Sequence, residues 1–348
     1  MKKLAFGMMS FADVLPETGE KGIHSEQRIK DLLEEVKLAD ELGIDMFGVG
    51  EHHRPDYAVS SPATVLAAAA AITKNIKLSS AVSVLSSDDP VRVYQQFATI
   101  DLISGGRAEI MAGRGSFIES FPLFGFSLQD YEELFEEKLD LLLKINQQTK
   151  VTWEGKLRAP IHNLGVYPRA VNGRIPIWLA AGGTPTSAIR AAKLGLPLIL
   201  AIIGGVPEQF TRFISLYKNT ALEMGKKPEE IEVGINNHVF IGEDSEKIAE
   251  QFFPYYKQIM DRVGSSRGWP PMSKQQYDYM RSPGGSLMVG SVEEVIDKIV
   301  HEYKLFGFTR FVAHASLGFV PHELTMKSIE LFSTKVVPEV RKRIMELG

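Results

Sequence analysis

Short apolar runs recur along the chain, and each is followed by a stretch whose apolar residues keep helical spacing. Residues 4–9 open the series as a strand. In 26–42, Ile29, Leu32, Leu33, Val36 and Ala39 fall on one helical face, and Gly43 ends the helix. The alternation then predicts strands over 45–50, 77–84, 107–113, 177–181, 196–201, 232–241 and 309–315. Helices are expected over 62–73, 89–103, 130–145, 185–194, 207–224, 245–263, 291–305 and 321–345. The helix after Ser291 carries a capping box with Glu294. Three stretches break the rhythm, about 115–130, 151–176 and 264–287. All three read as excursions on the carboxyl-terminal rim; 151–176 contains polar short-strand and turn material, and 116–129 and 264–287 follow strand ends and are placed to act as lids.

Eight runs apolar on both faces, with no linker between them, predict α/β architecture. A closed (β/α)8 TIM barrel with long rim insertions, one domain over 1–348, is the economical solution. An open doubly wound sheet has the same element count. No GxGxxG turn follows the first strand, which disfavours a Rossmann dinucleotide site.

Composition narrows the function classes. The 39 basic and 43 acidic residues of the 348 are spread along the chain and give a net charge of −4, with no footprint for nucleic acid. Cysteine is absent, so a disulfide scaffold, a thiolate nucleophile and a Cys-ligated metal are excluded. No apolar run approaches the roughly 18 residues of a membrane span, and no small-residue cleavage pattern follows the start; the cytoplasm is the expected location.

Chemistry concentrates where apolar runs end. The second strand closes in Glu51-His52-His53-Arg54. Alternation in an extended segment predicts that only one histidine faces the barrel mouth while its neighbour holds the loop. Glu51 is placed to accept a hydrogen bond from a histidine or the backbone; the bland reading is that all four residues cap a strand. A metal reading would recruit His162, His238, His314 or His322, but it needs three converging ligands, and no metal is expected. The fourth strand ends in Gly113-Arg114-Gly115-Ser116. Arg114 suits a phosphate, or else an ion pair with Glu51 or Asp88. Arg107, before that strand, should serve the opposite face structurally. The fifth ends in Gly182-Gly183-Thr184-Pro185, a good helix start whose free N–H groups would favour a phosphate.

Gly50-Glu51-His52-His53, Asp89-Pro90-Val91-Arg92, Ser104-Gly105-Gly106-Arg107, Gly113-Arg114-Gly115 and Gly290-Ser291-Val292-Glu293-Glu294 occur in an order that resembles the bacterial luciferase-like, flavin-dependent monooxygenase family over nearly the whole chain. The resemblance implies a TIM barrel binding FMN at its rim and a non-prolyl cis peptide at Ala81-Val82 beside the flavin. It also implies contacts from Arg114, Thr184 and Ser187 to the FMN phosphate, with Gly182 and Gly183 supplying close backbone. His52 takes the position of the histidine that assists flavin-peroxide chemistry, with Glu51 and His53 beside it. Such an enzyme receives reduced FMN from a separate NAD(P)H-flavin reductase, forms a C4a-peroxide with dioxygen and uses it on an organic substrate. A homodimer through the early helices, including 62–73, is a further implication. The chain lacks the cysteine that luciferases carry near 111–113, which argues against assuming light emission or an aldehyde substrate. An F420-dependent dehydrogenase has the same barrel and phosphate region. A non-catalytic flavin-binding protein would need no proton-handling group such as His52. Phe117, Phe121, Phe124, Trp269 and Tyr277 are the expected walls of a pocket for a small apolar molecule, with core packing the alternative for each.

Overall fold

A computed structural model describes residues 4–15, 23–115 and 117–347; Ser116 lies outside them. Its strands are β1 Ala5–Ser10, β2 Met46–Val49, β3 Lys77–Ser80, β4 Ser83–Val84, β5 Ala108–Gly113, β6 Lys150–Trp153, β7 Ile161–Gly165, β8 Ile177–Ala181, β9 Leu198–Ala201, β10 Val233–Gly242, β11 Met288–Ser291 and β12 Arg310–Ser316. Pairing runs β1–β2–β3–β5–β8–β9–β10–β12 and returns to β1, parallel throughout. These eight strands close a barrel, and they are the eight apolar runs of the sequence. The open-sheet alternative is thereby set aside.

Each strand is buried on both faces because helices cover the outside and side chains fill the lumen. Met9, Met46, Met111, Trp178, Ile199 and Val312 pack together inside. One buried ion pair shares that space: Arg310 reaches Glu109 through Nη1 at 2.5 Å and Nη2 at 3.0 Å, and its guanidinium lies 3.9 Å from the Trp178 ring. Burial of two charges is tolerated here because both are paired and hydrogen-bonded.

Local signals set the helix ends. The Asp89 carboxylate accepts from Val91 N at 2.9 Å to start Pro90–Ser104, and Gly105 ends that helix in a left-handed conformation. The Ser291–Glu294 capping box starts Val292–Phe306. Arg107 donates to the carbonyls of Ala70, Thr73 and Ile76, tying down the end of Pro62–Ile72 on the face away from the rim.

The irregular stretches differ from the expectation in detail. The run 77–84 is two short strands, β3 and β4, joined through Ala81 and Val82. Residues 151–176 contain the antiparallel hairpin β6–β7. Within 264–287 a helix forms at Lys274–Arg281, capped by Ser273, and the unforeseen β11 pairs with the upper half of β10. The last helix is interrupted by a π turn at Phe332–Val336. Among the described residues no helix is long and apolar enough to cross a membrane.

Candidate active site

At the carboxyl ends of the strands the barrel opens into a cavity of about 300 Å³. Met9, Ala81, Val82, Met111, Ile199 and Asn236 line it, and the loops after β2 and β5 form its wall. The Ala81–Val82 peptide bond is cis, as the resemblance implies. Two glycines let the backbone close around this point: a Cβ on Gly48 would lie 2.7 Å from that of Ala81, and one on Gly113 would lie 2.6 Å from a Val82 methyl. Side chains at either position would push the Ala81–Val82 step out of place.

Glu51, His52 and His53 all border the cavity. This corrects the expectation that only one histidine would enter, because the chain leaves the extended conformation after Val49 and strict alternation ends there. The two rings are nonetheless held differently. His52 sits among Tyr57, Phe11 and Phe117, with ring centroids 4.3, 4.5 and 4.9 Å away. Burial pushes its pKa down to about 3, so the imidazole is neutral, and its Nε2 has no hydrogen-bond partner among the described residues. His53 Nε2 lies 2.9 Å from Glu51 Oε1, and that hydrogen bond raises the His53 pKa. The other Glu51 oxygen accepts from Val84 N at 3.0 Å. One carboxylate therefore ties the histidine segment to β4, just beyond the cis bond.

Among the described residues, no group of three or more His, Asp or Glu side chains is placed to hold a metal ion. His238 and His314 are buried in the barrel, and Phe11 stands 4.5 Å from His52 on one side and 4.7 Å from His314 on the other. His162 is exposed on β7, and His322 faces Glu34.

A second cluster lies at the end of β5 and the start of Pro185–Lys193. Arg114 Nη2 is 3.3 Å from Ser187 Oγ, which lies 2.8 Å from Thr184 Oγ1. The other side of the Arg114 guanidinium pairs with Glu132, so neither Glu51 nor Asp88 is its ion-pair partner. Thr184 occupies the N-cap position, yet its hydroxyl turns to Ser187 and caps no N–H. A Cβ added to Gly182 would meet nothing within 4 Å, and Gly183 is left-handed. Arg114 and the open Gly182 thus border one end of the cavity, with the Ser187 and Thr184 hydroxyls behind the arginine. That donor set fits a phosphate. The neutral histidine with its orphaned Nε2 borders the same cavity, where Ala81, Val82 and Met111 offer an apolar wall.

The aromatic candidates separate. Phe117 lines the cavity against His52. Phe124 is exposed and meets His53 edge-on at 5.2 Å. Trp269 is exposed beside Arg267 and does not border the cavity. Phe121 is buried and stacked on Tyr131, 5.4 Å away. Tyr277 is corrected outright: it is fully buried among Phe253 and Tyr256 and donates to Ala249 O, so it packs the helices beside β10 and does not border the cavity. Phe11, Tyr57, Glu132 and Asn236 were not foreseen; nothing local in the sequence marks them, since the barrel alone brings them here.

The molecule's likeness to known proteins follows the same geometry. Its fold matches monooxygenase RslO1 from Streptomyces bottropensis with a TM-score of 0.86, at 24% identity, over 97% of this chain and 99% of that one. The oxygenating constituent of 3,6-diketocamphane monooxygenase from Pseudomonas putida, solved with FMN, matches at 0.77 and 19% over 97% and 99%. An F420-dependent secondary alcohol dehydrogenase matches at 0.74 and 20%, with the same coverage. At these identities the structures establish the shared barrel. The sequence itself matches the model of luciferase-like monooxygenases over residues 5–310, from the first barrel strand to the start of the last, and the chain belongs to that family.

Proposed function

We propose that the protein is a flavin-dependent monooxygenase that uses reduced FMN and dioxygen to oxygenate a small, largely apolar organic molecule. The observation that carries this reading is the presence on one cavity of Arg114, backed by Ser187 and Thr184, and of His52 with its unpartnered Nε2. Reduced FMN, when bound, supplies the electrons that activate dioxygen. Arg114, Thr184 and Ser187 would hold its phosphate, and the Gly182–Gly183 backbone would approach it. Ala81–Val82 and Met111 offer the apolar floor for its ring system.

The chain's own groups then control water and protons. Phe11, Tyr57 and Phe117 shield the reaction zone from solvent. His52, neutral throughout the physiological range, can hold a proton at Nε2 for an oxygen of the reacting species or accept one from it. The hydrogen bond to Glu51 raises the pKa of His53 on the same wall. Reduced cofactor would come from a separate NAD(P)H-flavin reductase, which fits a cytoplasmic enzyme. Homodimerisation is part of the proposal. A surface groove of about 490 Å³ between helices Pro62–Ile72 and Pro90–Ser104, with Ile72, Leu102 and Ile103 exposed on the same helices, supports it.

The second reading, an F420-dependent dehydrogenase, is favoured by the shared barrel alone. Parallel titrations with FMN and F420 decide between them. Retention of FMN, followed by transfer of an atom from labelled dioxygen into product, supports oxygenation. Retention of F420 with exclusion of FMN replaces it by the dehydrogenase. Binding of neither defeats both.

A further inference from the structure

We propose that the protein draws the proton its reaction consumes through a second, polar chamber beside the cavity, and that His53, on the wall the two spaces share, hands it across; this rests on the flavin-dependent reading of the cavity. The chamber has a volume of about 330 Å³ and lies between the segments that follow β2 and β4. Glu51 and His53 border it, and the same two residues border the cavity of about 300 Å³. Ser60, Ser61, Ser83, Ser87, Asp88 and Gln96 make the rest of its lining largely polar. Ser60 and Ser61 are exposed, so the chamber meets solvent there, whereas Ser83 and Ser87 are buried at its inner end. Hydroxyl, amide and carboxylate groups around a space of this size suit several water molecules.

The two neighbouring histidines differ in what they can exchange with. His52 is closed in by Phe11, Tyr57 and Phe117, and its Nε2 has no partner among the described residues, so no side chain stands ready to return a proton to it. The His53 ring borders both spaces; its Nε2 is held 2.9 Å from Glu51 Oε1, and no described residue is hydrogen-bonded to its Nδ1. Three carboxylates act on that ring. The hydrogen bond to Glu51 raises its pKa most, and Glu119 from the cavity and Asp88 from the chamber add to this against burial. Burial raises the pKa of Asp88 in turn, with the Glu51 and Asp89 charges adding and Lys138 opposing. Glu51 alone, bonded to His53 and to Val84 N, would anchor the loop. A second acid in a recess open to solvent adds nothing to that anchorage, and it does favour an imidazolium.

The reaction needs such a supply. Reduced FMN entering as its monoanion, dioxygen, substrate and one proton give oxidised FMN, oxygenated substrate and water; the two flavin electrons reduce one oxygen atom to water. The chamber loads the proton at Nδ1 of His53, where the Glu51 carboxylate stabilises the imidazolium, and the pair releases it into the cavity.

The test is single-turnover reoxidation of the reduced, FMN-loaded protein by dioxygen across pH, followed by flavin absorbance, with FMN affinity titrated alongside. Without substrate the same proton ends in hydrogen peroxide, so the substrate need not be known. The rate should fall as pH rises through the raised His53 pKa, which NMR of the ring protons measures. Asp88→Asn should lower that pKa and carry the alkaline limb down with it. Below the limb, His53→Ala should slow reoxidation at least about tenfold with FMN affinity retained. Imidazole added to the buffer should restore most of the loss, and Ser60→Trp, which narrows the chamber mouth, should abolish that rescue. Ser60 is exposed and its replacement should leave the fold intact. Wild-type reoxidation in His53→Ala, absence of rescue, or a rescue that survives Ser60→Trp overturns the proposal. So does an alkaline limb that stays in place in Asp88→Asn while the His53 pKa falls, and this arm decides alone if His53→Ala does not fold. Any of these failures in a protein that binds FMN removes this inference and leaves the flavin reading; a protein that binds no FMN loses both.

Discussion

Replacing Arg114 by alanine isolates the phosphate end of the cavity from everything else. In the structure the guanidinium spends one edge on Glu132 and offers Nη2 towards Ser187 at 3.3 Å. A charge-assisted hydrogen bond to a phosphate is worth about 1.5–3 kcal/mol, and about 1.4 kcal/mol corresponds to a tenfold change in Kd. The variant should therefore bind FMN at least about tenfold more weakly, and as much as about 150-fold if the phosphate is well desolvated. Folding should suffer little. Glu132 is half exposed and keeps Arg190 Nη2 at 3.3 Å, and exposed ion pairs contribute about 0–1 kcal/mol. Fluorescence titration of FMN and of riboflavin on the same preparations provides the control, since riboflavin has the same ring and no phosphate. The variant should lose FMN affinity and retain that for riboflavin. An unchanged FMN affinity, or equal losses for both ligands in a folded protein, would refute the assignment of this cluster to the phosphate.

Other expectations follow from the same geometry. His52→Ala should leave FMN binding largely intact while lowering oxygenation by about 10²-fold, as loss of a proton-handling group does; normal turnover in that variant would remove His52 from the chemistry. Because burial holds the His52 pKa near 3, no limb of the pH–rate profile near neutrality should disappear with it. Glu51→Gln should lower the His53 pKa, followed by NMR of the ring protons. A raised folded pKa means that the Glu51–His53 contribution to stability is full below the ordinary imidazole value and is lost as pH rises through the raised one. The stability difference between wild type and Glu51→Gln should shrink accordingly on the alkaline side, and a pH-independent difference would deny the link. Removing one member of the buried Glu109–Arg310 pair, as in Glu109→Gln, should cost about 3–5 kcal/mol in urea unfolding. Sedimentation should find a dimer at micromolar concentration, and a monomer there would reject the helix-face interface.

What was legible in the sequence follows from how a parallel barrel buries its strands. A strand covered on both faces must be apolar along its whole length, so each of the eight announces itself as a run that ends abruptly where solvent or ligand begins. That same rule hides which side chains enter the lumen: Met9, Met111 and Ile199 look no different from neighbours that face the helices. The rim was harder because its segments are specified by contacts made across the fold. Tyr277 falls in a stretch whose prolines and glycines predict an irregular lid, yet Ser273 and Gln276 stand at the spacing that starts a helix, and in the structure the Ser273 hydroxyl accepts from Gln276 N at 3.1 Å. That helix turns Tyr277 inward. The signal was present and was outweighed by the surrounding prolines and glycines. Arg54 and Arg267 left no comparable trace, since no local pattern can say that residues some two hundred positions apart in sequence meet one phenylalanine ring. Contacts of this kind are the part of the molecule that only the closed barrel assembles.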